Sequence, residues 1–255
     1  MGLLSKTAII VPCYNEAGRL EPKKFLEAIT DNPDLSFIFV NDGSKDNTQQ
    51  ILESLTCCSP KRIFFLNLDT NQGKSEAIRQ GFLYSIPFRY DYIGFWDADL
   101  STPLGTISQF VGVLDKNKEV LLVMGARVKL LGRKIARKRL RHYLGRIFAT
   151  WASVVLKLDV YDTQCGAKLF RNTAAIEKIF LVPFISRWIF DIEIIARLIR
   201  LMEESDKDIK NCLIEYPLEK WEDIKGTKLK PGDFLFSGIE LVKIAFKYRR
   251  GRQSI

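Results

Sequence analysis

The chain has 255 residues, with 39 Lys+Arg against 30 Asp+Glu and a formal net charge of +9. That length is enough to bury a full core in one large domain or two small ones. A content of 47% hydrophobic and 27% charged residues excludes a disordered or collagen-like chain. No stretch approaches the roughly 18 uncharged apolar residues of a membrane-spanning helix, and the nearest, residues 147–156, is cut short by Lys157. Residues 1–6 are too short for a signal peptide and run into a strand pattern, so a soluble, intracellular-type chain is expected. The cysteines Cys13, Cys57, Cys58, Cys165 and Cys212 are odd in number and lack C-x-x-C spacing, which argues against a zinc site or a disulfide framework. With His142 the one histidine, a zinc hydrolase or a Ser-His-Asp enzyme has little to build on.

In chain order, short apolar runs alternate with helix-length amphipathic segments. Residues 7–12 read as a buried strand and 19–30 as a helix; 35–40 as a second strand, with a helix over about 46–55. Residues 62–66 form a third strand, followed by a helix over about 74–84. Residues 92–96 are a fourth, then comes a helix with Ser101 or Thr102 as its cap and Pro103 at its first position, then a strand at 120–124. Continuous Val/Ile/Phe runs between helices imply a mostly parallel α/β sheet covered on both faces. Such sheets bind ligands beyond the carboxyl ends of their strands.

Those ends carry the unusual residues. Pro12-Cys13-Tyr14-Asn15-Glu16 follows the first strand, Asn41-Asp42-Gly43-Ser44 the second, Asn71-Gln72-Gly73-Lys74 the third, Asp97-Ala98-Asp99 the fourth and Gly125-Ala126-Arg127 the fifth. Each alone is an ordinary Gly/Asx loop; together they set carboxylates, a lysine and an arginine on one rim. Two carboxylates one residue apart can hold a hard divalent cation together with phosphate oxygens, although a D-x-D by itself is equally a pair of solvated loop aspartates. The absence of G-x-x-x-x-G-K-[ST] or G-x-G-x-x-G after the first strand argues against a P-loop NTPase or a dinucleotide dehydrogenase.

With Asp162-Thr163-Gln164-Cys165-Gly166-Ala167-Lys168-Leu169-Phe170, Arg187-Trp188-Ile189-Phe190-Asp191-Ile192-Glu193 and Trp221-Glu222-Asp223-Ile224-Lys225-Gly226-Thr227-Lys228, these segments resemble the family 2 glycosyltransferases of the GT-A fold. Within that family the resemblance is greatest to the dolichyl-phosphate β-glucosyltransferases. It implies a Rossmann-like sheet flanked by helices and a catalytic domain over 1–230, with a nucleotide and metal half to about residue 126 and an acceptor half from 127. A basic amphipathic helix over 231–255 completes the chain. The implied reaction is inverting transfer of glucose from a UDP-sugar donor to a polyprenyl phosphate acceptor. Pro12, Tyr14, Glu16 and Asp42 are expected at the uridine, Lys74 at the diphosphate, and Asp97 and Asp99 around Mg²⁺ or Mn²⁺. Asp162 and Gln164 are expected to shape the sugar pocket, and Trp221 and Glu222 to close it. Asp97, Asp99, Arg127 and Asp191 are the expected catalytic residues; for Asp191 a buried structural role is the alternative. Two positions depart from the family pattern: Ser75 stands where a glycine is common, and Ser101 where mannosyl relatives have a metal-ligating Gln.

From Arg127 to Arg146 there are nine Lys and Arg side chains and no acidic residue. A solvated basic face, a nucleic-acid surface and an anionic membrane surface all fit such a run. The interleaved Leu130, Leu131, Ile135 and Leu140 and the strand-end motifs favour the lipid reading over nucleic acid. Arg127, Arg133, Arg137 and Arg139 are the expected grips on the acceptor phosphate, because guanidinium binds phosphate in bidentate fashion. The amphipathic C-terminal segment packs on the core, lies in the membrane interface, or meets a membrane-protein partner or a second copy. The expected location is the cytoplasm, peripheral on the cytoplasmic face of a membrane. Another donor sugar (N-acetylglucosamine, mannose, galactose), or a glycan or glycolipid acceptor, is the nearest alternative, and a basic nucleic-acid-binding α/β module the more distant one.

Overall fold

The computed structural model describes residues 5–136, 139–222 and 231–248, of which 139–144 and 231–237 are described by backbone alone. Five strands come first: β1 (Thr7–Cys13), β2 (Leu35–Asp42), β3 (Ile63–Leu68), β4 (Tyr92–Trp96) and β5 (Leu122–Ala126). They alternate with helices α1 (Pro22–Asp31), α2 (Thr48–Cys58), α3 (Lys74–Ser85) and α4 (Thr106–Lys116). The second half adds β6 (Lys134–Ala136), α5 (Arg139–Leu156), β7 (Ala167–Arg171), α6 (Ala174–Leu181) and α7 (Phe190–Glu204). It ends with α8 (Ile209–Cys212), β8 (Leu213–Pro217), β9 (Lys220–Glu222) and α9 (Pro231–Tyr248).

The main sheet runs β3-β2-β1-β4-β7-β5-β8, parallel except for β7, which is antiparallel to both neighbours. Alternate side chains of each strand enter opposite cores, as a period of two requires. Ile10, Ile38 and Phe95 face α3, α5, α6, α7 and α9; Ile9, Phe37 and Trp96 face α1, α2 and α4. The strand order reverses between β1 and β4, so a crevice opens there at the carboxyl ends, where ligands of such sheets bind. Because β7 runs the other way, Trp96 pairs with Ala167, and the chain just before β7 arrives at the same rim as the Asp97–Asp99 turn. β6 and β9 pair as a small second sheet beside it.

Local chemistry moves several boundaries from the expected ones. α1 starts at Pro22 rather than Arg19, because Arg19 and Leu20 donate their N–H groups to the Glu16 carbonyl in a separate turn. The helix expected to open at Pro103 opens instead at Thr106. Ser101 donates its N–H to Asp99 Oδ1 at 3.0 Å, and the Trp96 indole donates to the Thr102 carbonyl at 2.8 Å, so this segment is tied into the site turn. The third and fifth strands are each shifted two residues toward the rim at their carboxyl ends.

Candidate active site

The rim is built from backbone outward. Asp42, at the end of β2, is buried, and its two oxygens accept the N–H groups of Gln72 (2.7 Å) and Gly73 (2.9 Å). It therefore holds the loop that delivers Lys74, each oxygen having one backbone bond. Asn15, at a φ of 52°, joins the loops after β1 and β2 by accepting the Lys45 N–H at 2.8 Å and donating its own to Ser44 Oγ at 2.9 Å. Pro12 and Tyr14 lie half-buried along this edge. Glu16 is buried and makes a two-point ion pair with Arg19. That hydrogen bond, and the charges of Glu16, Asp99 and Asp97, raise the Arg19 guanidinium above its ordinary pKa against the opposing effect of burial.

Asp97 and Asp99 follow β4 on a turn in which Leu100 takes a φ of 54°. Lys74 Nζ lies 2.5 Å from Asp97 Oδ1, both side chains about a third exposed (35% and 37%). Burial alone would depress Lys74, but the charges of Asp97, Asp191 and Asp99 hold it above its ordinary range, as a cation. On the far side, Asp97 rests on Gly166: its N–H donates to the Gly166 carbonyl at 3.1 Å, and a Cβ added at Gly166 would fall 1.8 Å from Asp97 Oδ2. Only a glycine leaves room for the carboxylate there.

Beneath this cluster Lys168, on β7, is fully buried. Its three N–H donors go to the Thr163 carbonyl (2.9 Å), the Cys165 carbonyl (2.8 Å) and Asp191 Oδ1 (2.5 Å). The pair joins the turn before β7 to the first turn of α7. Burial pushes the Cys165 thiol up to about 11, which leaves it uncharged and a poor nucleophile at neutral pH.

Arg127 grips Asp162 through Nε (2.6 Å) and Nη2 (2.7 Å), while its backbone N–H reaches Asp162 Oδ2 at 3.0 Å. It also stacks over Trp221 at 5.3 Å. Burial would lower its pKa; the Asp162 charge and hydrogen bonds more than offset this. Glu215 accepts the Tyr161 and Asp162 N–H groups and fixes that turn from β8. Gln164 is exposed and lines, with Arg127 and Asp162, a cavity of about 20 Å³. Arg133 pairs with Glu219 at 3.0 Å. Arg137 lies outside the described residues, as does the side chain of Arg139. Of the segment 221–228, Trp221 is buried and Glu222 exposed at the rim, and the rest lies outside the described residues.

The structure thus brings Asp42, Lys74, Asp97, Asp99 and Asp191 to one side of the crevice and Arg127, Asp162 and Gln164 to the other. Residue patterns had given no role to Gly166, Lys168, Arg19 or Glu215. Lys168 carried one signal, a lysine inside the apolar run Ala167-Lys168-Leu169-Phe170.

A family model described as "Glycosyl transferase family 2" matches residues 8–178. The chain belongs to that family. This glycosyltransferase is 34% identical to a dolichyl-phosphate beta-glucosyltransferase of Trichomonas vaginalis, the match covering 96% of the chain and 72% of that protein. It is 30% identical to the dolichyl-phosphate beta-glucosyltransferase of Saccharomyces cerevisiae, over 96% of the chain and 75% of that protein. Among solved structures, the glucosyl-3-phosphoglycerate synthase of Mycobacterium tuberculosis, in complex with Mn²⁺, UDP-glucose and phosphoglyceric acid, superposes with a TM-score of 0.69. That match has 14% identity and covers 95% of this chain and 80% of that one. A Pyrobaculum calidifontis mannosyltransferase in complex with GDP-Man and Mn²⁺ gives 0.62 at 16% identity, over 98% and 66%. These structures share the GT-A fold with this family 2 enzyme.

The donor set suits a hard divalent cation. Among the described residues no three His, Cys, Asp or Glu side chains cluster as a closed metal cage. Mg²⁺ and its relatives bind through one or two carboxylates plus substrate phosphates and water, and Asp97 and Asp99 offer that number. Ser101 is buried, with its N–H on Asp99 and its carbonyl accepting the Glu222 N–H, which leaves its hydroxyl, water and phosphate oxygens as candidate remaining ligands.

Proposed function

We propose that this glycosyltransferase moves glucose from UDP-glucose to a dolichyl-type polyprenyl phosphate, with inversion. The carboxylate pair Asp97/Asp99 beside cationic Lys74, at the point where strand order reverses, carries the reading. It supplies what a departing nucleoside diphosphate needs, and the relatives that span the chain are named for this transfer. A polyprenyl phosphate is already a nucleophile at neutral pH. Its oxygen attacks the anomeric carbon from the face opposite UDP, the C–O bond to the diphosphate breaks, and no strong base is required. Rate then comes from positioning and from charge placed where the leaving diphosphate develops it. Mg²⁺ or Mn²⁺ held by Asp97 and Asp99 would supply part of that charge.

The chain's own groups divide the remaining work. Lys74 donates to the diphosphate; Asp42 fixes the Lys74 loop and has lone pairs left for the base or ribose. Pro12, Tyr14 and Glu16 form the uridine edge. Asp162, held by Arg127, and exposed Gln164 shape the sugar side. Asp191, spent on Lys168, shapes that site from below. The acceptor phosphate enters from the basic stretch containing Arg133, Arg137 and Arg139. Among the described residues no helix is long and apolar enough to cross a membrane. Ile147, Trp151 and Val154 on α5, and Ile239, Val242 and Phe246 on α9, point outward from two helices that pack together. We assign this face to an anionic membrane surface, where basic residues add about 1 kcal/mol each.

The test is transfer of radiolabelled sugar from a panel of UDP- and GDP-sugars to a short polyprenyl phosphate, with and without Mn²⁺, by the wild-type protein and Asp99→Asn. Metal-dependent product from UDP-glucose, lost in the folded variant, is expected. Product from another donor corrects the sugar, hydrolysis without lipid product corrects the acceptor, and an unimpaired Asp99→Asn removes that residue from the metal.

A further inference from the structure

The loop between α6 and α7 is anchored more firmly than a connector requires. Arg197, almost fully buried on α7, donates to the Val182 (2.7 Å) and Pro183 (2.8 Å) carbonyls, and Glu193 Oε2 accepts the Ile185 N–H at 2.7 Å. Buried Ser186 accepts the N–H groups of Trp188 (3.1 Å) and Ile189 (2.8 Å) and donates its hydroxyl to Glu240 of α9 at 2.5 Å. Tyr248, also on α9, donates to Glu193 Oε1 at 2.9 Å and accepts from Arg197 Nε at 3.0 Å. Two helices therefore hold the ends of a short loop whose exposed residues include Arg187 and Trp188.

The Arg187 side chain lies against the loop that opens α3. Gly73, the residue before Lys74, has a φ of 98°, and a Cβ built on it would lie 3.3–3.4 Å from Cβ, Cγ and Cδ of Arg187. The arginine stem thus lies along Gly73, and the guanidinium follows one bond beyond Cδ. Among the described residues that guanidinium makes no hydrogen bond or ion pair, unlike Arg127 on Asp162 or Arg133 on Glu219. A stem packed on the residue before Lys74, carrying a fork of donors with no partner among the described residues, suits a phosphate oxyanion, which guanidinium binds in bidentate fashion.

We infer that Arg187 is a phosphate-binding residue of the transfer reaction, held over the α3 loop by the Ser186–Glu240 link to α9. The inference rests on the function proposed above and names a further grip on its phosphates. The phosphate belongs to the donor diphosphate or to the lipid acceptor, and the chemistry recognised is the same.

The experiment compares wild type, Arg187→Ala, Arg187→Lys and Ser186→Ala by UDP calorimetry and by transfer kinetics with each substrate varied in turn. A lost charge-assisted hydrogen bond of about 1.5–3 kcal/mol predicts a loss of about 10- to 150-fold in kcat/KM for Arg187→Ala. Lysine should recover part of it, and Ser186→Ala should change the same KM by less. Weaker UDP binding assigns the residue to the donor; unchanged UDP binding with a raised acceptor KM assigns it to the lipid phosphate. Unchanged UDP affinity and unchanged KM for both substrates in Arg187→Ala overturn the inference. A wild-type protein that binds UDP but makes no lipid product breaks the acceptor reading instead, and the UDP titration of Arg187→Ala still tests the donor contact.

Discussion

The two sides of the crevice carry charge in different ways. On the proposed donor side, Lys74 stands among Asp97, Asp99 and Asp191, so a cation sits in a field of carboxylates. On the proposed acceptor side, the described arginines at the start and end of the basic run already have partners. Arg127 is locked onto Asp162, and Arg146 stacks on Tyr161 at 3.9 Å. A run of positive charge in a sequence is therefore no measure of positive charge free for a ligand. The partners are distant in the chain and meet the arginines only when the sheet closes.

The largest effect is expected beneath the donor side, at Lys168→Met. That change leaves Asp191 and the Thr163 and Cys165 carbonyls buried without their donor. Removing one member of a buried pair costs about 3–5 kcal/mol, which urea unfolding will read as a lower midpoint at unchanged slope. A loss under about 1 kcal/mol, the range of exposed ion pairs, would mean that the Lys168–Asp191 bond does not bear on the donor floor.

Gly166→Ala is expected next, and it separates activity from stability. The added Cβ meets the end of the Asp97 side chain, which is 37% exposed and can swing away, so the fold should survive with little loss. The carboxylate cannot stay where it is. Displacement of a reacting group by about 1 Å can cost on the order of 10²-fold in rate. Melting temperature near wild type with transfer reduced by that order is the expected outcome. A normal rate would show that the place of Asp97 against Gly166 is immaterial to the reaction.

Much of this was legible in residue order. Apolar runs of five or six residues between amphipathic segments define β1 to β5, and the polar residues ending each run define the rim. The Asp97-Ala98-Asp99 and Gln72-Gly73-Lys74 segments meet at that rim through the Lys74–Asp97 pair, and the longer motifs pointed to the family. What residue order did not carry was direction and partnership. Nothing in Ala167–Arg171 says that the strand runs antiparallel between β4 and β5, yet that reversal puts Gly166 on Asp97 and Lys168 under Asp191. The helix after β4 starts at Thr106 rather than Pro103, because the segment before it is tied to the site turn by the Ser101 N–H on Asp99 and the Trp96 indole on the Thr102 carbonyl.

The smallest effect is expected at Arg133→Ala, and it returns to the acceptor side. Arg133 sits in the middle of the basic run and was an expected grip on the lipid phosphate. Its guanidinium meets Glu219 at 3.0 Å, with the two side chains 31% and 61% exposed. Such a pair contributes about 0–1 kcal/mol, because water screens it and both side chains lose freedom to make it. Its loss should leave stability within that margin. A lipid phosphate would have to displace Glu219 to reach the guanidinium, so the acceptor KM should rise by less than it does in an Arg187→Ala protein that has lost a guanidinium with no partner among the described residues. A larger rise at Arg133 than at Arg187 would reverse the contrast, making the basic run the grip and the Glu219 pair a resting contact that the acceptor breaks.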